Sequence, residues 1–194
     1  MKEISIYDTE LIGEIIKGDT VYQMFVGITL EQTEQLKALS LDESDVALNV
    51  TSDRVRFGEK SFTDWFNKGR VPYTLIERDS DKLAALVWFG PKALGEKSMK
   101  FQAAGQENIA AAPDEVWHTL AYRSYPPFRG GGFMKEFFAR AMEHYRSWFP
   151  DAKLWAIIDI ENPASTRLAE SSGFVIDKEH SDNQHAVMIH QNDL

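Results

Sequence analysis

Hydrophobic positions change their period several times along the chain, and each change marks an element. Ile4-Ser5-Ile6-Tyr7 alternates like a short strand, and Leu11–Lys17 suits either a helical turn or a second strand. Val21–Gly27 (VYQMFVG) is apolar and β-branched enough to read as a strand. Thr29 is placed to cap a helix over Leu30–Ser40, with Leu36 and Leu39 facing inward. Leu41–Gly58 is polar and irregular, with a short helix expected around Asp45–Leu48. Ser61 caps a further helix in which Phe62, Trp65 and Phe66 fall at i, i+3 and i+4, and Gly69 ends it. Pro72–Arg78 and Lys82–Phe89 flank Asp79-Ser80-Asp81 as a hairpin.

Gly90–Asp114 is long for a connection inside a compact domain. It reads as a substrate-facing loop, a surface excursion, or an extra strand near Ser98–Gln102. Trp117–Ser124 is the next strand. A long helix then begins at Phe133, with Met134, Phe137, Phe138, Ala141, Met142, Tyr145, Trp148 and Phe149 forming one apolar stripe until Pro150 stops it. Lys153–Ile160 (KLWAIIDI) is nearly continuous in apolar residues, as a strand covered on both faces should be. Asn162, Pro163 and Gly173 bound a helix over Pro163–Ser172 as cap, first residue and terminator. Phe174–Lys178 and His185–His190 are the last strands. No repeat or linker interrupts this order, so a single domain over 1–194 is expected, an α/β (α+β) fold with a mixed sheet.

Composition narrows the chemistry. The 194 residues include no cysteine, which excludes thiol nucleophiles, disulfides and cysteine-based zinc sites. His144, His180, His185 and His190 lack metal-ligand spacing, so no metal is expected. The net charge of −9 argues against nucleic acid as a partner and mildly favours cationic ligands such as amines. No apolar run is long enough to span a membrane, and the first residues do not resemble a secretory signal, so a cytoplasmic protein without a membrane partner is expected.

Tyr122–Met134 (YRSYPPFRGGGFM) is the stretch with the most specific chemistry. A strand runs through a Pro-Pro corner into Arg129-Gly130-Gly131-Gly132 and then directly into a helix. Glycines let a ligand approach the backbone, and the first N–H groups of a helix attract anions. Arg129 adds a forked cationic donor. The pattern fits neither nucleotide fingerprint: Lys135 stands where a third Rossmann glycine would be, and the Gly-Lys-Ser/Thr ending of a P-loop is missing.

This stretch resembles the acyl-CoA-binding motif of the GCN5-related N-acetyltransferase (GNAT) family, in which a strand and a Pro precede Arg/Gln-x-x-Gly-x-Gly/Ala at a helix start. Pro126, Arg129 and Gly132 match, and Met134 takes the place of the second Gly/Ala. NPASTRLAESSGF resembles the family's second motif at Asn162, Ser165, Leu168, Gly173 and Phe174, in the right order and at the right separation. The resemblance covers about Val116–Gln191 and implies a mixed, splayed sheet of about seven strands flanked by helices. It implies acetyl-CoA as co-substrate. The pantetheine arm would lie along Tyr122, Arg123 and Ser124, and the pyrophosphate on Arg129, Gly130, Gly131, Gly132, Phe133 and Met134. Asn162 and Ser165 would contact the cofactor near the second motif.

The implied activity is transfer of an acetyl group to a primary amine by direct attack. A backbone N–H near Ser124 would polarise the thioester carbonyl. The family motif's Tyr is Ala169 here, so Tyr122 or a water would protonate the leaving thiolate. An alkylammonium, with a pKa of about 10.4, must lose its proton before attack. Related enzymes carry a Glu or His at the place of His118 on this strand, which makes His118 the general-base candidate, acting through water. Asp159 is a weaker candidate for holding a substrate ammonium, and Glu115 and Glu161 are weaker still. The acceptor itself, a small amine or a peptide amine, is not written in the sequence, nor is the acyl length, and a homodimer is left open. The rival reading is a non-catalytic acyl-CoA-binding or regulatory module on the same fold.

Overall fold

The computed structural model describes residues 4–97 and 116–194. The strands are β1 (Thr9–Lys17), β2 (Thr20–Gly27), β3 (Val71–Glu77), β4 (Lys82–Pro91), β5 (Trp117–Ser124), β6 (Lys153–Asp159), β7 (Phe174–Asp177) and β8 (His185–His190). The helices are α1 (Leu30–Leu41), α2 (Val46–Asn49), α3 (Phe62–Phe66), α4 (Met134–Trp148) and α5 (Pro163–Glu170), with a π-helical turn over Arg54–Glu59. The strands form one eight-stranded sheet in the order β1-β2-β3-β4-β5-β6-β8-β7. It is mostly antiparallel and flanked by helices, with one strand more than the seven expected among the described residues.

Three local expectations change. Ile4–Tyr7 forms a turn rather than a strand, and Tyr7 takes a left-handed φ of 69°. Leu11–Lys17 resolves to the strand alternative, inside β1, whose pairing with β2 is offset between Leu11 and Gly13. The turn over Arg54–Glu59 was not foreseen, because its apolar positions carry no clear period. The expected strand near Ser98–Gln102, the rest of Gly90–Asp114 from residue 98 on, and Glu115 lie outside the described residues.

The chain divides into two compact units, Met1–Trp88 with Tyr122–Phe137, and Phe89–Ala121 with Phe138–Leu194. In the first, β3 is buried along its whole length, and Tyr22, Met24, Val26, Tyr73 and Leu75 form the core. Helix α1 is fastened by a capping box: Thr29 Oγ1 accepts from Gln32 N at 3.1 Å, and Gln32 Oε1 accepts from Thr29 N at 3.0 Å. The β3–β4 turn is held by Glu77, whose carboxylate accepts from the N–H groups of Asp79 and Ser80 at 3.1 and 2.9 Å.

In the second unit, Leu94, Trp117, Trp155, Val187 and Ile189 form a core cluster. The α4 stripe behaves as its period predicts: Phe138 packs on Phe174, and Tyr145 stacks between Phe89 (4.4 Å) and Phe149 (4.6 Å). Strands β5 and β6 are parallel partners from Trp117↔Lys153 to Leu120↔Ala156. Both run on past that register, to Ser124 and Asp159. Ending the pairing part-way along two strands is what a splayed sheet requires.

Candidate functional site

The first unit contains the glycine turn. Tyr125 N donates to Ala84 O at 2.9 Å, which ties the end of β5 to β4, and the Pro126–Pro127 peptide is cis. Phe128 and Phe133, on either side of the glycines, pack on Tyr22 at 6.0 and 4.9 Å. The loop is thereby pinned at both ends by apolar contacts while its glycines stay exposed. Gly130 and Gly132 have φ of 78° and 73°, the left-handed region in which a side chain is strained. A Cβ on either would meet nothing within 4 Å, so the backbone faces open space. Met134, at the start of α4, is half-buried.

Arg129 is fully engaged by the protein. Its Nη1 and Nη2 donate to the two Asp45 oxygens at 2.8 and 2.6 Å, and its Nε donates to Ser124 O at 2.8 Å. Asp45 is nearly buried, with its side chain 4% exposed, and it also caps α2 by accepting from Leu48 N at 3.2 Å. Burial pushes its carboxyl up, but the hydrogen bonds from Arg129 and Leu48 outweigh that and hold it below the usual carboxylate value. The charge of Arg129 is therefore already matched. What the turn offers an anion is its backbone, latched to α2 by an ion pair.

Arg123 has a similar arrangement. Its Nε donates to Asp53 Oδ2 at 2.7 Å, its Nη2 to Asp53 Oδ1 at 3.3 Å, and its Nη1 to Tyr122 O at 2.8 Å. Arg56 Nη1 donates to the same carboxylate at 2.6 Å. Both guanidiniums lie over the Trp88 ring, at 5.2 Å for Arg56 and 5.4 Å for Arg123. Trp88 belongs to an aromatic cluster with Phe57 and Trp65. The carbonyls of Tyr122 and Ser124, expected to face pantetheine, thus each accept from an arginine side chain, and the Tyr122 side chain is buried.

The second unit contains the remaining candidates. His118 is buried, shares a hydrogen bond through Nδ1 with the Tyr145 hydroxyl, and lies edge-on to Phe149 at 5.6 Å. It sits in the aromatic layer between β5 and α4. Asn162 Oδ1 accepts from Ser165 N at 3.0 Å, the N-cap read from the sequence, and Asn162 is exposed. Ser165 is half-buried in the first turn of α5. Asp159 is exposed and forms the turn before α5, accepting from Glu161 N at 2.8 Å. Ala169, at the place of the family's Tyr, is 1% exposed, so the α5 face there is filled by packing.

Sequence reading missed Asp45, Asp53 and Arg56. The Asp53–Arg56 spacing of three residues was a usable signal for a local ion pair. The pairing of Asp45 with Arg129 had none, since 84 residues separate them.

An open glycine turn that follows a strand and leads into a long helix is what the GNAT resemblance implies. Residues 102–175 match the family model of the acetyltransferase (GNAT) domain, so the resemblance read from the two motifs holds. No protein of curated function matches the chain in sequence. Solved structures with the same fold include three acetyltransferases. Spermidine N-acetyltransferase from Vibrio cholerae in complex with CoA and spermine is 16% identical, with a TM-score of 0.56 over 87% of this chain and 92% of that one. A putative ribosomal-protein-serine acetyltransferase from V. cholerae is 13% identical, with a TM-score of 0.58 over 95% and 98%. A putative GNAT-family acetyltransferase from Bordetella pertussis is 16% identical, with a TM-score of 0.57 over 90% and 96%. At these identities the likeness is one of fold. No helix among the described residues is long and apolar enough to cross a membrane.

Proposed function

We propose that the protein transfers an acetyl group from acetyl-CoA to a primary amine by direct attack. The observation that carries this reading is the turn at Gly130–Gly132, whose two left-handed glycines face open space at the start of α4. Such a backbone fits a diphosphate: donors converge at a positive helix end, and no side chain fills the approach. Acetyl-CoA supplies a thioester whose acetyl group an amine can take, releasing coenzyme A thiol.

The chain's own residues have three tasks in this scheme. The N–H groups of Gly130–Met134 bind the pyrophosphate, with Asp45 and Arg129 keeping the turn in place. Tyr122, Arg123 and Ser124 line the pantetheine arm, and Asn162 and Ser165 contact the cofactor from the start of α5. His118 takes the ammonium proton through water, and Tyr122 or a water returns one to the thiolate. The CoA-bound and spermine-bound relative supports both the cofactor and an amine acceptor as chemistry open to this fold.

The test is titration of acetyl-CoA by calorimetry, together with thiol release on a panel of amines. Micromolar binding and amine-dependent thiol release are expected. Binding without release from any amine would favour the rival, a non-catalytic acyl-CoA-binding or regulatory module. Absence of binding would end both readings.

A further inference from the structure

The first unit gathers three arginines around two buried carboxylates. Asp45 and Arg129 pair one to one. Asp53 is shared between Arg123 and Arg56, so around these residues three guanidiniums meet two carboxylates. Arg123 spends its donors on Asp53 and Tyr122 O. Arg56 gives only Nη1 to Asp53, and its other recorded partners among the described residues are the ring faces of Phe57 and Trp88. A ring face is a poor substitute for an anion.

Independent of those ion pairs, two hydroxyls in the same neighbourhood are buried without a partner. Tyr125 is 0% exposed, and its phenol has no hydrogen-bond partner. That phenol lies in the fields of Asp53, Arg123, Arg56 and Arg129. Ser52, beside Asp53 in the chain, is 9% exposed, and its hydroxyl is likewise without a partner. Buried polar groups are almost always satisfied, so a buried phenol without a partner beside arginines that share one carboxylate is the kind of group that binds a ligand. Arg56, Tyr125 and Ser52 are all donors, and together they call for an oxyanion. Two guanidiniums that already share one carboxylate match a second carboxylate better than a doubly charged phosphate.

We propose that Arg56, Tyr125 and Ser52 form a carboxylate-binding subsite, and that the acceptor is an amine bearing a carboxylate, such as an amino acid. The identification of the occupant as the acceptor rests on the acetyl-transfer reading; the subsite does not. Arg123 and Tyr125 flank Ser124, the residue expected beside the thioester, so an acid held here would be anchored next to the reacting end of the cofactor.

The experiment pairs amino acids with their decarboxylated amines, phenylalanine with phenethylamine among them. Binding is followed by calorimetry and thermal shift, and turnover by thiol release. The acids are expected to bind at least tenfold more tightly than the amines, with the difference lost in Arg56→Gln. Tyr125→Phe removes an unsatisfied hydroxyl, so it should leave the melting temperature unchanged or raised while weakening acid binding several-fold. That opposite pair of effects holds even if Arg56→Gln folds poorly. Equal affinity within each pair, no binding by any acid, or acid binding untouched by Tyr125→Phe would overturn the proposal. Stronger competition by inorganic phosphate than by the acids would reassign the subsite to a cofactor phosphate and overturn the acceptor. Acid binding without thiol release would sink acetyl transfer and keep the subsite; equal turnover of acids and amines would do the reverse.

Discussion

Replacing Arg129 by Gln tests whether the glycine turn is held by an ion pair or by its own backbone. The side chain makes three charge-assisted hydrogen bonds, at 2.8, 2.6 and 2.8 Å, and its loss leaves Asp45 almost buried without a cation. Breaking a fully buried pair costs about 3–5 kcal/mol. Arg129 is one-third exposed, so water screens part of that, and about 2 kcal/mol is the reasonable expectation. For a chain of this length that is roughly a 4–8 °C fall in melting temperature. Asp45→Asn keeps a cap acceptor for Leu48 N and should cost less, about 1 kcal/mol. The double variant should cost less than the sum by about 1 kcal/mol, the signature of a direct interaction. Acetyl-CoA affinity should fall on the order of tenfold, about 1.4 kcal/mol, in either single variant, because the released turn must be reordered on binding.

The pH dependence follows from the depressed Asp45 carboxyl. Its contribution is fully present above the ordinary carboxylate range and is lost as pH falls through the lowered value. The stability gap between wild type and Arg129→Gln should therefore be constant near neutrality and close in acid. Additive single losses, or a gap that widens in acid, would refute the latch.

Gly132→Ala adds a methyl with nothing within 4 Å but at φ 73°, so it should cost about 1–2 kcal/mol through backbone strain alone. Calorimetry should show weaker acetyl-CoA binding as the methyl enters the approach to the turn. His118→Gln should lower kcat on the order of 100-fold and abolish the acidic limb of its pH profile, with Tyr145→Phe shifting that limb. A lowered melting temperature with an unchanged profile would make His118 a structural partner of Tyr145 instead. Asn162→Ala should cost about 1 kcal/mol for the lost cap on α5. If KM for acetyl-CoA stays unchanged in that variant, Asn162 is a cap and no more.

The elements that carry the two motifs were legible because their signals are local. Trp117–Ser124 and His185–His190 emerge with their boundaries as read, and the Asn162 cap and the α4 stripe appear as their spacing requires. What failed lacked a local signal or was ambiguous by period. Ile4–Tyr7 alternates, yet it closes a turn in which Asp8 N donates to Ser5 O at 3.1 Å. Leu11–Lys17 fitted helix and strand equally and was decided by pairing with β2. The site divides the same way. The glycines and Arg129 could be picked out from the sequence, but the buried acids that hold Arg129 and Arg123 lie 84 and 70 residues away, in a segment legible only as polar and irregular with one short helix.

That segment also adds a local contribution to the electrostatics of the site. A net charge of −9 suggests a cationic ligand only if the whole surface acts at the site. It does not, since the Debye length at physiological salt is about 8 Å and low-dielectric walls strengthen what lies within it. Nearest the proposed subsite, Arg56 and Arg123 share Asp53 while Arg129 pairs with Asp45. A polycation would meet those guanidiniums at close range, whereas an amino acid would meet them with its carboxylate and leave its amine to react. With the acceptor's carboxylate in the proposed subsite, salt should weaken its binding less than it weakens any long-range attraction of polyamines to the acidic exterior.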